Sequence, residues 1–287
     1  MSVTGPLLIS HGHLTPTYSP CVEDVRLNKK QKIMYYIKKS NKIFYEIFGS
    51  GSKNFILLHN AGGNHQFLRY QINAFSEIGK VVGIDMLGHG NSDKPIKKYA
   101  VLEYAEDIIE LCNYLNIDKV VGIGLNYGAN VLLQLAVNKP EIISKLILIE
   151  PPLLMKPETV DRIQEHMGHL SNCKMTEYAE ILVKQSFINT TKENREIAKS
   201  SFKTIKKEVL FSIYTNLLEW DKLSRNIVVN LKIPSLCILT NGSLCSGADL
   251  LQINPQIEIG KVVGSLYWTT LEVPDQVNSM ILRFLEL

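Results

Sequence analysis

Four short, mostly apolar runs recur along the first half of this chain: NFILLH (54–59), KVVGID (80–85), KVVGIG (119–124) and KLILIE (145–150). A strand that is apolar on both sides must be covered on both sides, and helices returning between parallel strands supply that cover. Helical stretches near 66–77, 101–115 and 127–138 occupy the intervals. The alternation predicts an α/β fold with a mostly parallel, doubly wound sheet.

The remaining segments fit around that frame. KIMYYIKK and KIFYEIF flank Ser40 and Asn41 as the arms of a hairpin would, whereas residues 1–30 have no periodicity and read as an irregular lead-in. After Pro151-Pro152 the chain becomes rich in Glu, Lys and Asn without β-branched runs, which predicts a helical cap over 153–225. Strand signals return in PSLCILT (234–240) and IEIGKVV (257–263), and an amphipathic helix closes the chain, so the core comprises 31–152 and 226–287. At 287 residues, one large α/β domain with an insertion is the expected size.

Composition narrows the function classes. Lys+Arg 31 against Asp+Glu 28 leaves +3, too little clustered basic charge for a nucleic-acid partner, and KTIKKE (203–208) reads as the solvated side of a cap helix. No apolar stretch is long enough to span a membrane. Five cysteines (Cys21, Cys112, Cys173, Cys237, Cys245), odd in number and widely spaced, form no CxxC pair, which gives no support to a disulfide framework or zinc knuckle and predicts reduced thiols. With no secretory signal pattern at the first residues, a cytoplasmic location is expected.

Three segments carry chemistry: LLHNAGGN (57–64), DMLGHGNSDKP (85–95) and GLNYGANVLLQLAVNKPEIISKLILIEPP (124–152). In this order they resemble the α/β-hydrolase superfamily, particularly its capped esterase, dehalogenase and epoxide-hydrolase branch, over about residues 32–287. The resemblance implies that the first segment is a turn whose backbone N–H groups form half of an oxyanion hole. It implies that the second is the D-x-x-G-x-G-x-S-D-x-P loop and the third the nucleophile elbow with its helix and next strand.

The elbow pattern G-x-S-x-G reads here Gly124-Leu125-Asn126-Tyr127-Gly128. Asparagine has no ionisable proton to lose to a base, so acyl-enzyme chemistry is closed to it, although it tolerates the positive φ of such a turn. The base position falls on Ser265, after Gly264, and no histidine follows His169. A serine hydroxyl does not take a proton near neutral pH as imidazole does. The acid position falls near Ser243, with no carboxylate between Glu150 and Asp249 in the corresponding turn or strand.

These readings predict a small-molecule-binding pseudoenzyme with a degenerate triad and no cofactor. Asn60, Ala61, Asn126, Tyr127, Glu150 and Ser265 are the expected contacts to a small apolar or carbonyl-containing molecule, with a protein partner as the other outcome. Three alternatives stand beside it: a lyase, cyclase or isomerase using the same pocket, a residual ester hydrolase, and a dinucleotide site. The last rests on G-x-G-x-x-x-G in GIGLNYG, with Glu150 as its ribose-binding acid. His59 and His89 read as structural. His166 and His169, three apart on a helix, share a side but lack a third metal ligand.

Overall fold

The computed structural model describes residues 32–286, so the expected irregular lead-in and Cys21 lie outside the described residues. Strands β1 (Lys32–Lys38) and β2 (Asn41–Phe48) form an antiparallel hairpin. Its turn residues are Lys39 and Ser40, both at positive φ (46° and 72°), the conformation that a tight two-residue hairpin demands, while Asn41 already opens β2.

The apolar runs become β3 (Asn54–Leu58), β4 (Lys80–Asp85), β5 (Val120–Leu125) and β6 (Ile143–Ile149). They are followed by β7 (Ser235–Leu239) and β8 (Ile257–Lys261). Together they form an eight-stranded sheet in the order β1-β2-β4-β3-β5-β6-β7-β8, parallel from β4 to β8. Every residue of β5 is buried, which explains a run with no polar alternation.

The covering helices are α1 (Arg69–Ser76), preceded by a 3₁₀ turn at His65–Leu68, then α2 (Val101–Tyr114) and α3 (Tyr127–Asn138). Four helices follow between β6 and β7: α4 (Pro157–Asn172), α5 (Met175–Ser186), α6 (Lys192–Thr204) and α7 (Lys207–Asn230). Helix α7 runs past the expected boundary at 225 because Ile227 and Val228 are still buried. Asn254 Nδ2 then donates to the carbonyls of Val228 and Leu231, both at 3.0 Å, and satisfies its end. Trp220 Nε1 donates to Gln134 Oε1 at 2.8 Å and fastens α7 to α3. Helices α8 (Gly247–Ile253), α9 (Thr269–Glu272) and α10 (Pro274–Glu286) complete the chain.

Strand β3 lies between β4 and β5, so the chain leaves β3 toward one side of the sheet and returns to fill the other. Loops after β3 and β5 therefore diverge at their carboxyl ends, and the crevice between them is where sheets of this kind accept ligands. Helices α4–α7 stand over it. Among the described residues, no helix is long and apolar enough to cross a membrane. The four described cysteines are free thiols.

Candidate ligand pocket at the strand ends

Asn126 sits between β5 and α3 at φ 50°, ψ −117°. Its N–H donates to the Ile149 carbonyl at 2.7 Å, and its Nδ2 to the Glu150 carbonyl at 3.3 Å. The two flanking glycines are demanded by packing. A Cβ on Gly124 would lie 2.5 Å from the Ala129 backbone nitrogen, and one on Gly128 would lie 2.4 Å from the Leu58 carbonyl oxygen. The G-x-N-x-G spacing thus serves the contact between α3 and β3, whatever residue stands at its centre.

Across the crevice, the turn after β3 carries Asn60 and Ala61. His59 shapes this turn: its Nδ1 donates to the Asn60 carbonyl at 2.7 Å and its Nε2 accepts from the Met86 N–H at 3.1 Å, which fixes a neutral tautomer. Burial lowers its pKa to about 4. His89 packs edge-on against it at 4.8 Å and donates from Nδ1 to the Leu87 carbonyl. Burial lowers its pKa to about 3. Both are turn-holding groups with no exposure to the crevice.

A buried charged brace lies beneath. Asp85 accepts from the His65 N–H at 2.9 Å, from His65 Nδ1 at 2.7 Å and from the Asn91 N–H at 2.9 Å, while His65 Nε2 stands 3.3 Å from Glu46. Burial opposes a proton on His65, but hydrogen bonds to Asp85 and Glu46 outweigh it and raise the pKa to about 9. Burial likewise works to raise Asp85, and the bond from His65 overrides it, holding this carboxyl at about 2. The motif loop 85–95 is therefore anchored through its first residue.

Ser243, in the loop after β7, donates its hydroxyl to the Glu150 carboxylate and accepts from the Thr240 N–H at 2.7 Å. Glu150 follows β6 at φ 50° and is buried, and burial pushes its pKa up to about 7. Ser265 donates its hydroxyl to Glu272 Oε2 at 2.8 Å. Glu272 also accepts from the Leu266 N–H at 3.3 Å and, through Oε1, from the N–H groups of Ile188 and Asn189 at 2.7 and 2.9 Å. One carboxylate thus ties the loop of Ser265 to the connection between α5 and α6. Nothing local in the sequence marks Glu272, because its partners lie as far as 84 residues away.

Between core and cap lies a cavity of about 230 Å³. Asn60, Ala61, Asn126 and Pro152 form its floor, and Ile163, Leu182, Leu217 and Phe202 of the cap help to form its roof. Tyr127, Glu150 and Ser265 are not part of this lining. The Tyr127 side chain packs into the core with its hydroxyl 3.3 Å from the Tyr99 carbonyl, and the other two are turned to the bonds above. His166 reaches the cavity, whereas His169 is exposed and lies 3.7 Å from Glu165. Arg162, Tyr267 and Trp268 also line it, and no motif or periodicity in the sequence marks any of them. Asn60 Oδ1 is buried against Gly63 with no hydrogen-bond partner. Among the described residues, no three His, Cys, Asp or Glu side chains converge as a metal site.

The family model for the alpha/beta hydrolase fold matches residues 53–178, which contain all three motif segments and run into the cap as far as the start of α5. The chain is an α/β-hydrolase-fold protein. This α/β-hydrolase-fold chain is similar to epoxide hydrolase 1 of Caenorhabditis elegans, with 27% identity across 87% of this chain and 69% of that one. Its fold is similar to that of the enol-lactonase from Burkholderia xenovorans LB400 (TM-score 0.79, 20% identity, 88% of this chain and 100% of that chain). An esterase from Exiguobacterium antarcticum superimposes comparably (TM-score 0.78, 18% identity, 86% and 96%).

Proposed function

We propose that this α/β-hydrolase-fold protein binds a small, largely apolar, carbonyl-containing molecule between core and cap and does not hydrolyse it. The observation that carries this reading is Asn126 on the elbow, in the cavity floor, where a hydrolase of this fold needs an ionisable nucleophile. The two serines at the other triad positions support it. Ser265 is bonded to Glu272 and Ser243 to Glu150, on separate carboxylates, so no hydrogen-bonded relay runs from acid to base to elbow. The elbow and the Asn60-Ala61 turn retain backbone N–H groups and amide dipoles suited to a carbonyl oxygen. Unpaired thiols at Cys112, Cys173, Cys237 and Cys245 support a reducing, cytoplasmic setting.

A lyase- or isomerase-type activity would rest on Glu150, whose carboxyl titrates near neutrality. That carboxyl is absent from the cavity lining, which favours binding over proton transfer. The test is native and denaturing mass spectrometry after incubation with cell extract, together with turnover of p-nitrophenyl esters. The expected result is a mass addition present only under native conditions and ester turnover no faster than that of Asn126→Ala. An addition that survives denaturation, or turnover that Asn126→Ala removes, would overturn the reading.

A further inference from the structure

The charge inventory of the cavity narrows its occupant. No acidic residue lines it, and its one guanidinium is that of Arg162 on α4. Asp161, Glu158 and Glu165 share the helix with Arg162, yet among the described residues no carboxylate pairs with it; its hydrogen-bond partner is the Tyr267 hydroxyl at 3.4 Å. Arg69 and Arg283 each have a glutamate partner, Glu193 and Glu286, whereas Arg195 lies over the Phe187 ring. His166, one helical turn from Arg162, lines the same wall, and burial lowers its pKa, so it presents a neutral imidazole. Arg162 is exposed and forms part of the cavity wall, so this end of the cavity places a planar fork of N–H donors where the cavity meets solvent.

The body of the cavity is aromatic and aliphatic. Phe202 and Trp268 lie stacked, with ring centroids 5.9 Å apart and planes 25° from parallel, and Trp268 also meets Phe187 edge-on at 4.5 Å. A flat apolar group fits against such rings, while a charged one would lose its hydration there without compensation.

Building on the ligand-pocket reading above, we propose that the occupant is an aromatic carboxylic acid whose carboxylate is held by Arg162 at the cap and whose ring lies against Phe202 and Trp268. The pairing is charge-assisted and can be bidentate, because guanidinium and carboxylate share planar fork geometry.

The test uses calorimetric titration of the full chain with 4-phenylbutyrate and with its neutral amide, 4-phenylbutyramide, at pH 7.5. The acid is expected to bind roughly tenfold tighter than the amide, the gain of one charge-assisted contact. Arg162→Gln should remove that preference and leave amide affinity unchanged, whereas Arg225→Gln, an exposed cation outside the cavity lining, should leave both as they are. Equal affinity for acid and amide would overturn the carboxylate assignment while leaving the pocket reading intact. A preference that persists in Arg162→Gln would overturn the role of Arg162. Binding of neither compound would overturn both this inference and the apolar-ligand pocket. Hydrolysis of ethyl 4-phenylbutyrate that depends on Asn126 would overturn the non-hydrolytic reading alone.

Discussion

Ser243 Oγ lies 2.7 and 2.8 Å from the two carboxylate oxygens of Glu150, joining the ends of β6 and β7 through one shared proton. Burial outweighs the hydrogen bonds from Ser243 and Thr240 and pushes the Glu150 pKa up to about 7 against an ordinary 4.5. Between those values the folded chain keeps a proton that the unfolded chain has lost. Stability therefore falls as pH rises through this window and levels off above it, by roughly 3 kcal/mol in total. Glu150→Gln removes the penalty. Urea denaturation should show the variant gaining on the parent by roughly 1–3 kcal/mol at pH 8 and not at pH 4.5. A gap that stays constant with pH would assign the destabilisation elsewhere.

His65 has the opposite sign. Its pKa of about 9 exceeds the ordinary 6.5, so the stability it contributes is complete below pH 6.5 and disappears as pH rises toward 9. Asp85, held at about 2, contributes above its ordinary value of 3.8 and fails as pH falls toward 2. His65→Gln leaves two buried carboxylates facing each other without a cation, an expected loss of roughly 3–5 kcal/mol at pH 7. The same comparison at pH 9.5 should show a much smaller difference in denaturation midpoint, because the parent has by then lost its own proton.

At Asn126 the backbone and the chemistry separate. With φ 50° and ψ −117° the residue occupies a region that a Cβ resists, so Asn126→Ala should cost about 1 kcal/mol while Asn126→Gly is neutral or stabilising. Asn126→Ser should leave ester turnover at background, since the Ser265 hydroxyl already donates to Glu272 and is too weak a base to activate it. A pre-steady-state burst with p-nitrophenyl acetate in that variant would contradict this.

The strands and their helices were legible because each is decided locally. Lys80–Asp85 and Tyr127–Asn138 carry their burial pattern in their own residues, and the elbow announces Asn126 through glycines that packing requires. The run KLILIE places Glu150 at the end of a strand, but β6 stops at Ile149 and Glu150 turns to positive φ where it meets Ser243. That contact spans 93 residues, and the bonds from Glu272 to the α5–α6 connection span up to 84. Such pairs are set by which loops the sheet order brings to one edge, and no periodicity records that. Arg162 was hidden for a related reason: on a charged, amphipathic helix, a cation facing a cavity has the same local signature as one facing solvent.

Glu150 and His65 both hold, near neutral pH, protons that their unfolded forms release to solvent. At these two sites folding takes up protons, and at His59 and His89, which burial keeps neutral, it gives them up. The heat of unfolding measured in a calorimeter will include the heat taken up or given out as the buffer absorbs those protons, and so will differ between Tris and phosphate at the same pH and midpoint. The slope of that heat against the ionisation enthalpy of the buffer counts the net protons exchanged on unfolding, with Glu150 and His65 releasing them and His59 and His89 taking them up.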